Sequence, residues 1–282
     1  MSERVLHSHI SPSAHFTAYV WYRRGLSDAA FISTFGRFSH SVLRPVMWAS
    51  RRFFDLDLEN MLLLRHLQID ACLHCAIENH GVRQVVEIAC GLSPRGRRFT
   101  QRYPQLRYME ADLPDMAERK RQLLARNGWL GDRHQVTAVD VFAQHGVNSL
   151  ASAFAQLDRD EPVLVITEGL VNYFPRKQIE LFWTRLAGEL SAFSAASYIT
   201  DLYPELQAHP RYQQIRWGVD LVGKLTRGEY YLHYADAEAI GSGFKACGFA
   251  AVEVIDPSLR ATDLGLPIAK GPGLVRVVHA HM

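Results

Sequence analysis

The stretch Val85-Val86-Glu87-Ile88-Ala89-Cys90-Gly91-Leu92-Ser93-Pro94 decides the fold. A β-branched run, entered from Gly81-Val82-Arg83, ends at a turn of small residues, and a helical pattern follows. That reads as strand, tight turn, helix. The alternation recurs downstream: Leu106–Glu110 precedes a charged helix from Pro114 to Arg126, Gln135–Asp140 precedes another, and Val163–Glu168 precedes a helix from Arg176 to Leu190. Ala196–Asp201 is a fifth strand. Ala250–Ile255 and Leu274–Ala280 follow without a long helix between them, which predicts a closing hairpin. Strands alternating with helices imply βαβ units. The predicted fold is therefore α/β and Rossmann-like, a seven-stranded, mostly parallel sheet with helices on both faces.

Upstream of this core the pattern differs. Residues 1–55 are rich in aromatics, His and Ser and show no strand alternation, which predicts a partly helical segment. From Leu56 to about Ile77, apolar residues recur at helical spacing through Leu58, Leu62, Leu63, Leu67 and Leu73, predicting one or two helices. The expected division is an N-terminal helical lid over residues 1–75 and a core over 76–282, with a lid insertion at about 203–235.

The chain has 282 residues, 48% hydrophobic and 21% charged, which excludes disordered, collagenous and disulfide-scaffold classes. A formal charge of +2 lacks the basic face that nucleic-acid binding needs. Of 31 basic residues 26 are Arg, a bias toward forked recognition of carboxylates or phosphates. No apolar run approaches the roughly 18 residues that span a bilayer. The start, MSERVLHSHISPSAHF, has neither a basic region followed by an apolar one nor a small-residue cleavage site, so a cytoplasmic protein is expected. Cys72, Cys75, Cys90 and Cys247 are expected to be reduced thiols. Cys72-Leu73-His74-Cys75 has no second ligand pair, so no metal is expected.

Four acids, Glu110, Asp140, Glu168 and Asp201, are expected at or just past the carboxyl ends of strands, where open α/β sheets bind ligands. One alone reads equally well as a helix N-cap; four together point to a site. The first turn lacks the dinucleotide fingerprint, since Ala89 and Pro94 stand where glycine or a small residue is required. No Gly-Lys-Ser/Thr follows it, and the closing glycine of a nucleophile elbow is missing after Ser93. Glu110 lies 19 positions beyond Gly91, near the offset at which an acid accepts a ribose diol. A ribose without a pyrophosphate points to S-adenosylmethionine.

The runs Glu87–Phe99, Tyr108-Met109-Glu110-Ala111-Asp112-Leu113-Pro114 with Lys120-Arg121, Val139-Asp140-Val141 and Thr167–Pro175, preceded by Arg65–Asp70, resemble the leucine carboxyl methyltransferase superfamily, whose bacterial members include polyketide carboxyl O-methyltransferases. The similarity spans roughly residues 60–190 and weakens toward the end. The resemblance implies a class I methyltransferase core with S-adenosylmethionine as donor and S-adenosylhomocysteine as product. It also implies that Arg65 holds the methionine carboxylate, Ala89 and Gly91 border the methionine portion, Glu110 takes the ribose, Asp140 with Val141 the adenine, and Glu168 the amino group. Ala89 replaces a glycine common in the family, a sterically mild change; Ser93 replaces an aspartate, and Arg23 or Arg24 stands in for an absent N-terminal lysine.

Methyl transfer from a sulfonium is an in-line displacement in which protein supplies orientation and water exclusion. A carboxylate acceptor is already ionised at neutral pH, whereas a phenol profits from a base. The expected function is methyl-ester formation on a carboxylate of a small organic or lipid-like acceptor, free or carrier-bound, in secondary metabolism; a phenolic or enolic O-methyltransferase and a noncatalytic ligand- or partner-binding module are the alternatives. Candidate bases are Tyr173, His15 and His233, with His66 behind them. The expected acceptor pocket draws on Tyr19, Trp21 and Tyr22 and on Tyr212, Trp217, Tyr230, Tyr231 and Tyr234, with His233 among them. Arg95, Arg97, Arg98 and Arg102 are expected on a solvated helix face or as an anchor for an acidic acceptor. An oligomer is compatible with all of these.

Overall fold

A computed structural model of the chain describes residues 12–54, 57–205, 212–213, 230–268 and 273–282. Seven strands, β1 (Gln84–Ile88), β2 (Arg107–Asp112), β3 (His134–Ala138), β4 (Val163–Thr167), β5 (Ala196–Leu202), β6 (Ala251–Ile255) and β7 (Arg276–His281), form one sheet in the order β3-β2-β1-β4-β5-β7-β6. β1 pairs in parallel with β2, and β2 with β3, while β7 runs antiparallel to both β5 and β6. The expected hairpin is present, and it returns the last strand to a place between β5 and β6. β4 is buried at every position, as its unbroken Val-Leu-Val-Ile run requires of a strand covered on both faces.

The helices are α1 (Pro12–Arg23), α2 (Thr34–Phe54), α3 (Leu58–Asn79), α4 (Arg95–Arg102), α5 (Pro114–Arg126), α6 (Leu150–Phe154), α7 (Arg176–Leu190) and α8 (Ala237–Ala246). α3 is one continuous helix, because no Gly or Pro interrupts its sequence. α5 begins with Pro114 in its first turn, where the missing N–H costs nothing. The Asp236 carboxylate caps α8 by accepting from the Ala239 N–H at 2.8 Å.

Two compact units emerge, and the chain passes between them several times. The first holds the described residues of 1–42, 76–166 and 192–196; the second holds those of 43–75, 167–191 and 197–282. In the first, Phe31, Ala117, Leu124 and Val136 form a core against which Leu123, Trp129 and Ala138 pack. In the second, Trp183 meets Phe244 at 4.2 Å between ring centroids, and Tyr198 stacks on Phe249. The Tyr198 hydroxyl is satisfied there by Thr167, 2.6 Å away.

Strand length corrects one expected position. β2 continues two residues past Glu110 and places that acid opposite Glu87 and Val136, in the strand interior. Asp112 ends the strand instead. Glu168 directly follows β4, Asp140 lies in the loop after β3, and Asp201 is the penultimate residue of β5.

Candidate functional site

In the first unit, the turn after β1 is built by backbone conformations that only small residues tolerate well. Ala89 has φ 54° and Gly91 φ 49°, both left-handed. The substitution at Ala89 is therefore not mild, because an L-residue pays about 1–2 kcal/mol in that region. The Gly91 N–H donates to Asp112 Oδ2 at 2.7 Å, tying the turn to the end of β2. Burial pushes the Asp112 carboxyl up, and the N–H donors of Gly91 and Leu113, with Lys120, pull it back only in part, so it rests above its ordinary range.

Beneath the turn lies a buried cation. Lys120, on α5, is fully buried and donates to the carbonyls of Ser93 at 2.7 Å and Gly91 at 3.3 Å. Its Nζ also lies 2.8 Å from Glu110 Oε2 and 5.3 Å from the centre of the Phe31 ring. His134 Nε2 approaches the other Glu110 oxygen at 3.2 Å. Burial alone would raise the Glu110 carboxyl, but Lys120 and His134 outweigh it and hold the group below its usual value. For Lys120 burial acts downward and Glu110 outweighs it, leaving the ammonium raised. Glu110 is 0% exposed, within the strand rather than at its end, with Lys120 and His134 against its two oxygens. It fixes the lysine that latches the turn.

The expectation for Arg95 is corrected. It is completely buried and paired with Glu87, whose other oxygen accepts from the Tyr108 hydroxyl at 2.7 Å. It is neither on a solvated face nor free to anchor an acceptor. Of its neighbours, Arg97 lies over the Trp129 ring and Arg102 is exposed over Tyr103. Asp140 closes its own turn by accepting from the Phe142 N–H at 2.9 Å, and Val141 beside it is buried. The α1 segment covers this region, since a Cβ placed on Gly91 would meet that of Ala14 at 3.6 Å. His15 bonds to Ser33 Oγ at 2.8 Å, and burial, with Arg119, lowers its basicity. Tyr19 packs against Tyr22 and His40, Trp21 is buried and Tyr22 exposed. Arg23 sits 2.9 Å from His40 Nε2.

In the second unit, Arg65 on α3 is clamped from two strands. Its Nε donates to Glu168 Oε1 at 3.1 Å, and one terminal nitrogen donates to Asp201 Oδ2 at 3.1 Å and to the Tyr203 hydroxyl at 3.4 Å. His66 Nδ1 lies 2.8 Å from the second Glu168 oxygen, so His66 orients that carboxylate. The Gly169 N–H donates to Asp201 Oδ1 at 2.6 Å. Gly169 has φ +69°, and a Cβ there would come within 3.3 Å of an Arg65 terminal nitrogen. The glycine backbone thus lies against the buried guanidinium. Burial drives Asp201 up against the pull of Arg65, while burial raises the Tyr203 hydroxyl to about 12, keeping it protonated as it accepts from Arg65.

An aromatic group adjoins this clamp: Tyr230 packs edge-on against Tyr173 at 5.6 Å and against Tyr203 at 5.8 Å. Tyr231 is tied by its N–H to the Asn172 carbonyl at 2.7 Å. Buried His233 lies with Nε2 3.1 Å from the Val171 carbonyl, and burial lowers its basicity. Tyr234 packs elsewhere: its hydroxyl donates to Glu180 on α7 at 2.9 Å and its ring lies under the Arg176 guanidinium. Tyr212 is a half-buried helical residue. Trp217 lies outside the described residues.

Residues 33–187, more than half of the chain, match the family model described as leucine carboxyl methyltransferase. The chain belongs to the leucine carboxyl methyltransferase family. It is 26% identical over 155 residues to leucine carboxyl methyltransferase 1 of Eremothecium gossypii, covering 48% of this chain and 47% of that one. It is 34% identical over 147 residues to a Mycolicibacterium gilvum protein described as a candidate S-adenosyl-L-methionine-dependent methyltransferase, covering 52% of this chain and 41% of that one. The matches thus span half or less of those relatives. Among solved structures, a candidate methyltransferase from Thermobifida fusca shares the fold with a TM-score of 0.62 at 15% identity, over 96% of this chain and 94% of that one.

Three residues of these two clusters were not singled out from sequence as contacts. Asp112 and Lys120 were visible only as parts of a motif, and Tyr203 follows Asp201-Leu202 without any signal of its own. The strand boundary for Asp112, and burial for the other two, carry the information.

Proposed function

We propose that this chain is an S-adenosylmethionine-dependent O-methyltransferase that esterifies a carboxylate of a small organic or lipid-like acceptor. The observation that carries the reading is the Arg65 clamp, a guanidinium oriented by Glu168 and Asp201, with Gly169 the residue against it where a side chain would crowd it. An oriented guanidinium suits a carboxylate, and two carboxylates beside one arginine leave a net negative charge that suits an ammonium and a sulfonium. Arg65 then takes the methionine carboxylate and Glu168 the amino group. The family resemblance assigns Ala89 and Gly91 to the border of the methionine portion and Asp140 with Val141 to the adenine. Asp112, at the strand end, takes the ribose hydroxyls in place of Glu110.

The bound donor supplies the electrophilic methyl group. An acceptor carboxylate is ionised at neutral pH and needs no proton removed, so the protein's work is to orient it and exclude water. Tyr173, Tyr203 and Tyr230 supply an apolar wall with hydroxyl tips. A hydroxyl acceptor is the second reading, and His233 favours it. With Nε2–H donating to the Val171 carbonyl, Nδ1 is an acceptor with no hydrogen-bond partner among the described residues, which is the form a general base takes.

Calorimetric titration with S-adenosylhomocysteine, with nicotinamide dinucleotides as control, tests the cofactor. Binding of the homocysteine compound alone is expected, weakened about tenfold or more by Arg65→Ala or Asp112→Ala. Unchanged affinity in both variants overturns the assignment. Alkaline hydrolysis of the methylated product separates the acceptors, since an ester is cleaved and an aryl ether is not.

A further inference from the structure

α2 presents to solvent what a buried helix would hide. Phe35, Phe38, Val42, Val46 and Phe53 are all exposed, at 46%, 65%, 56%, 49% and 67%. Their intervals of three, four, four and seven put them on one stripe of the helix. From Phe35 to Phe53 the stripe spans 19 residues, about 27 Å of helical rise, with Pro45 within it. Buried Gly36 and His40 lie on the side turned inward; a Cβ on Gly36 would strike the His15 carbonyl oxygen. Across the exposed arc from the apolar stripe, Arg37, Arg44 and Arg51 recur every seven residues, with Arg52 between the two. Trp48, 59% exposed, packs edge-on against Phe53.

Charge identifies what this face meets. α2 contains four arginines and no carboxylate, so with the chain at +2 the remaining residues sum to −2. Arg51 lies 3.8 Å from Asp57, and Arg37, Arg44 and Arg52 leave the helix that exposes the aromatic stripe basic. A second copy of this face would bring four like charges against four, whereas an anionic surface with an apolar interior satisfies both stripes at once. We propose that α2 docks the protein on an anionic lipid bilayer, lying in the interface plane with Phe35, Phe38, Val42, Val46 and Phe53 inserted among acyl chains and the arginines on headgroup phosphates. No helix of the described residues is long and apolar enough to cross a membrane. The docking does not depend on methyl transfer.

Sedimentation of the full chain with phosphatidylcholine vesicles, alone or mixed with phosphatidylglycerol, tests it. Binding is expected to the mixed vesicles at low salt, and it should fall about tenfold or more on phosphatidylcholine alone, at high salt, or in Arg44→Glu/Arg51→Glu. Phe38→Asp/Val42→Asp should abolish it while leaving the circular dichroism and melting temperature unchanged, because both side chains are exposed. No binding to mixed vesicles at low salt, or equal binding to both vesicle types, overturns the proposal. So does a dimer in sedimentation velocity that Phe38→Asp/Val42→Asp dissolves, which would make a second copy the occupant.

Discussion

Ala89 and Gly169 show how single backbone conformations shape the two clusters. Ala89 at φ 54° carries a methyl group where the turn after β1 calls for glycine. Ala89→Gly removes that steric cost and adds unfolded-state entropy, so a net gain of about 0.5–1 kcal/mol in urea unfolding is expected. Gly169 is the reverse case. Gly169→Ala puts a methyl group into the left-handed region and against the Arg65 guanidinium. A loss of about 1–2 kcal/mol in stability is expected, together with weaker S-adenosylhomocysteine binding by calorimetry. Unchanged binding would show that the Arg65 guanidinium is not where the ligand lies. Glycine spacing was legible in the sequence; that an alanine holds a glycine conformation was not, because φ depends on the turn closing onto Asp112.

At the scale of elements, α5 is joined to the β1 turn and to β2 by one buried lysine. Lys120 spans from Glu110 to the carbonyls of Gly91 and Ser93, so it holds strand, turn and helix in register. Lys120→Met leaves Glu110 buried without its cation and should cost about 3–5 kcal/mol; Lys120→Met/Glu110→Gln should recover part of that, because no charge is then left unpaired. The pH dependence follows from the shifts. Glu110 is depressed on folding, so its contribution is present above the unfolded value of about 4.3 and is lost as pH falls through its folded value. Lys120 is raised, so its share is present below about 10.4 and is lost as pH rises through its folded value. Urea unfolding across the acid range should therefore show the stability advantage of the native chain over Glu110→Gln shrinking as pH falls. A constant difference would mean that Glu110 is not held ionised by this pair. Helical spacing alone gives Lys120 as one charge among several on α5, and its neighbours Arg119 and Arg121 carry the same charge type. Only packing distinguishes the one that points inward.

For the whole molecule, the order of elements was legible because hydrophobic period and turn residues are local. Val163–Ile166 can only be a strand buried on both faces, Arg176–Leu190 can only be an amphipathic helix, and the last two apolar runs lie too close for a helical crossover. The observed sheet follows these, antiparallel edge included. The spacing of acids put Glu110 at a strand end that Asp112 occupies, since strand ends are fixed by inter-strand hydrogen bonds that a linear count does not contain. The sequence by itself determined the α/β alternation, the family and the residue types from which a cofactor site is made. Tertiary structure alone decided which charges pair with which, Lys120 with Glu110, Arg95 with Glu87 and Arg65 with Glu168 and Asp201. The reason is physical: burial and pairing are set by residues such as Arg65 and Asp201, 136 positions apart in the chain yet 3.1 Å apart in space.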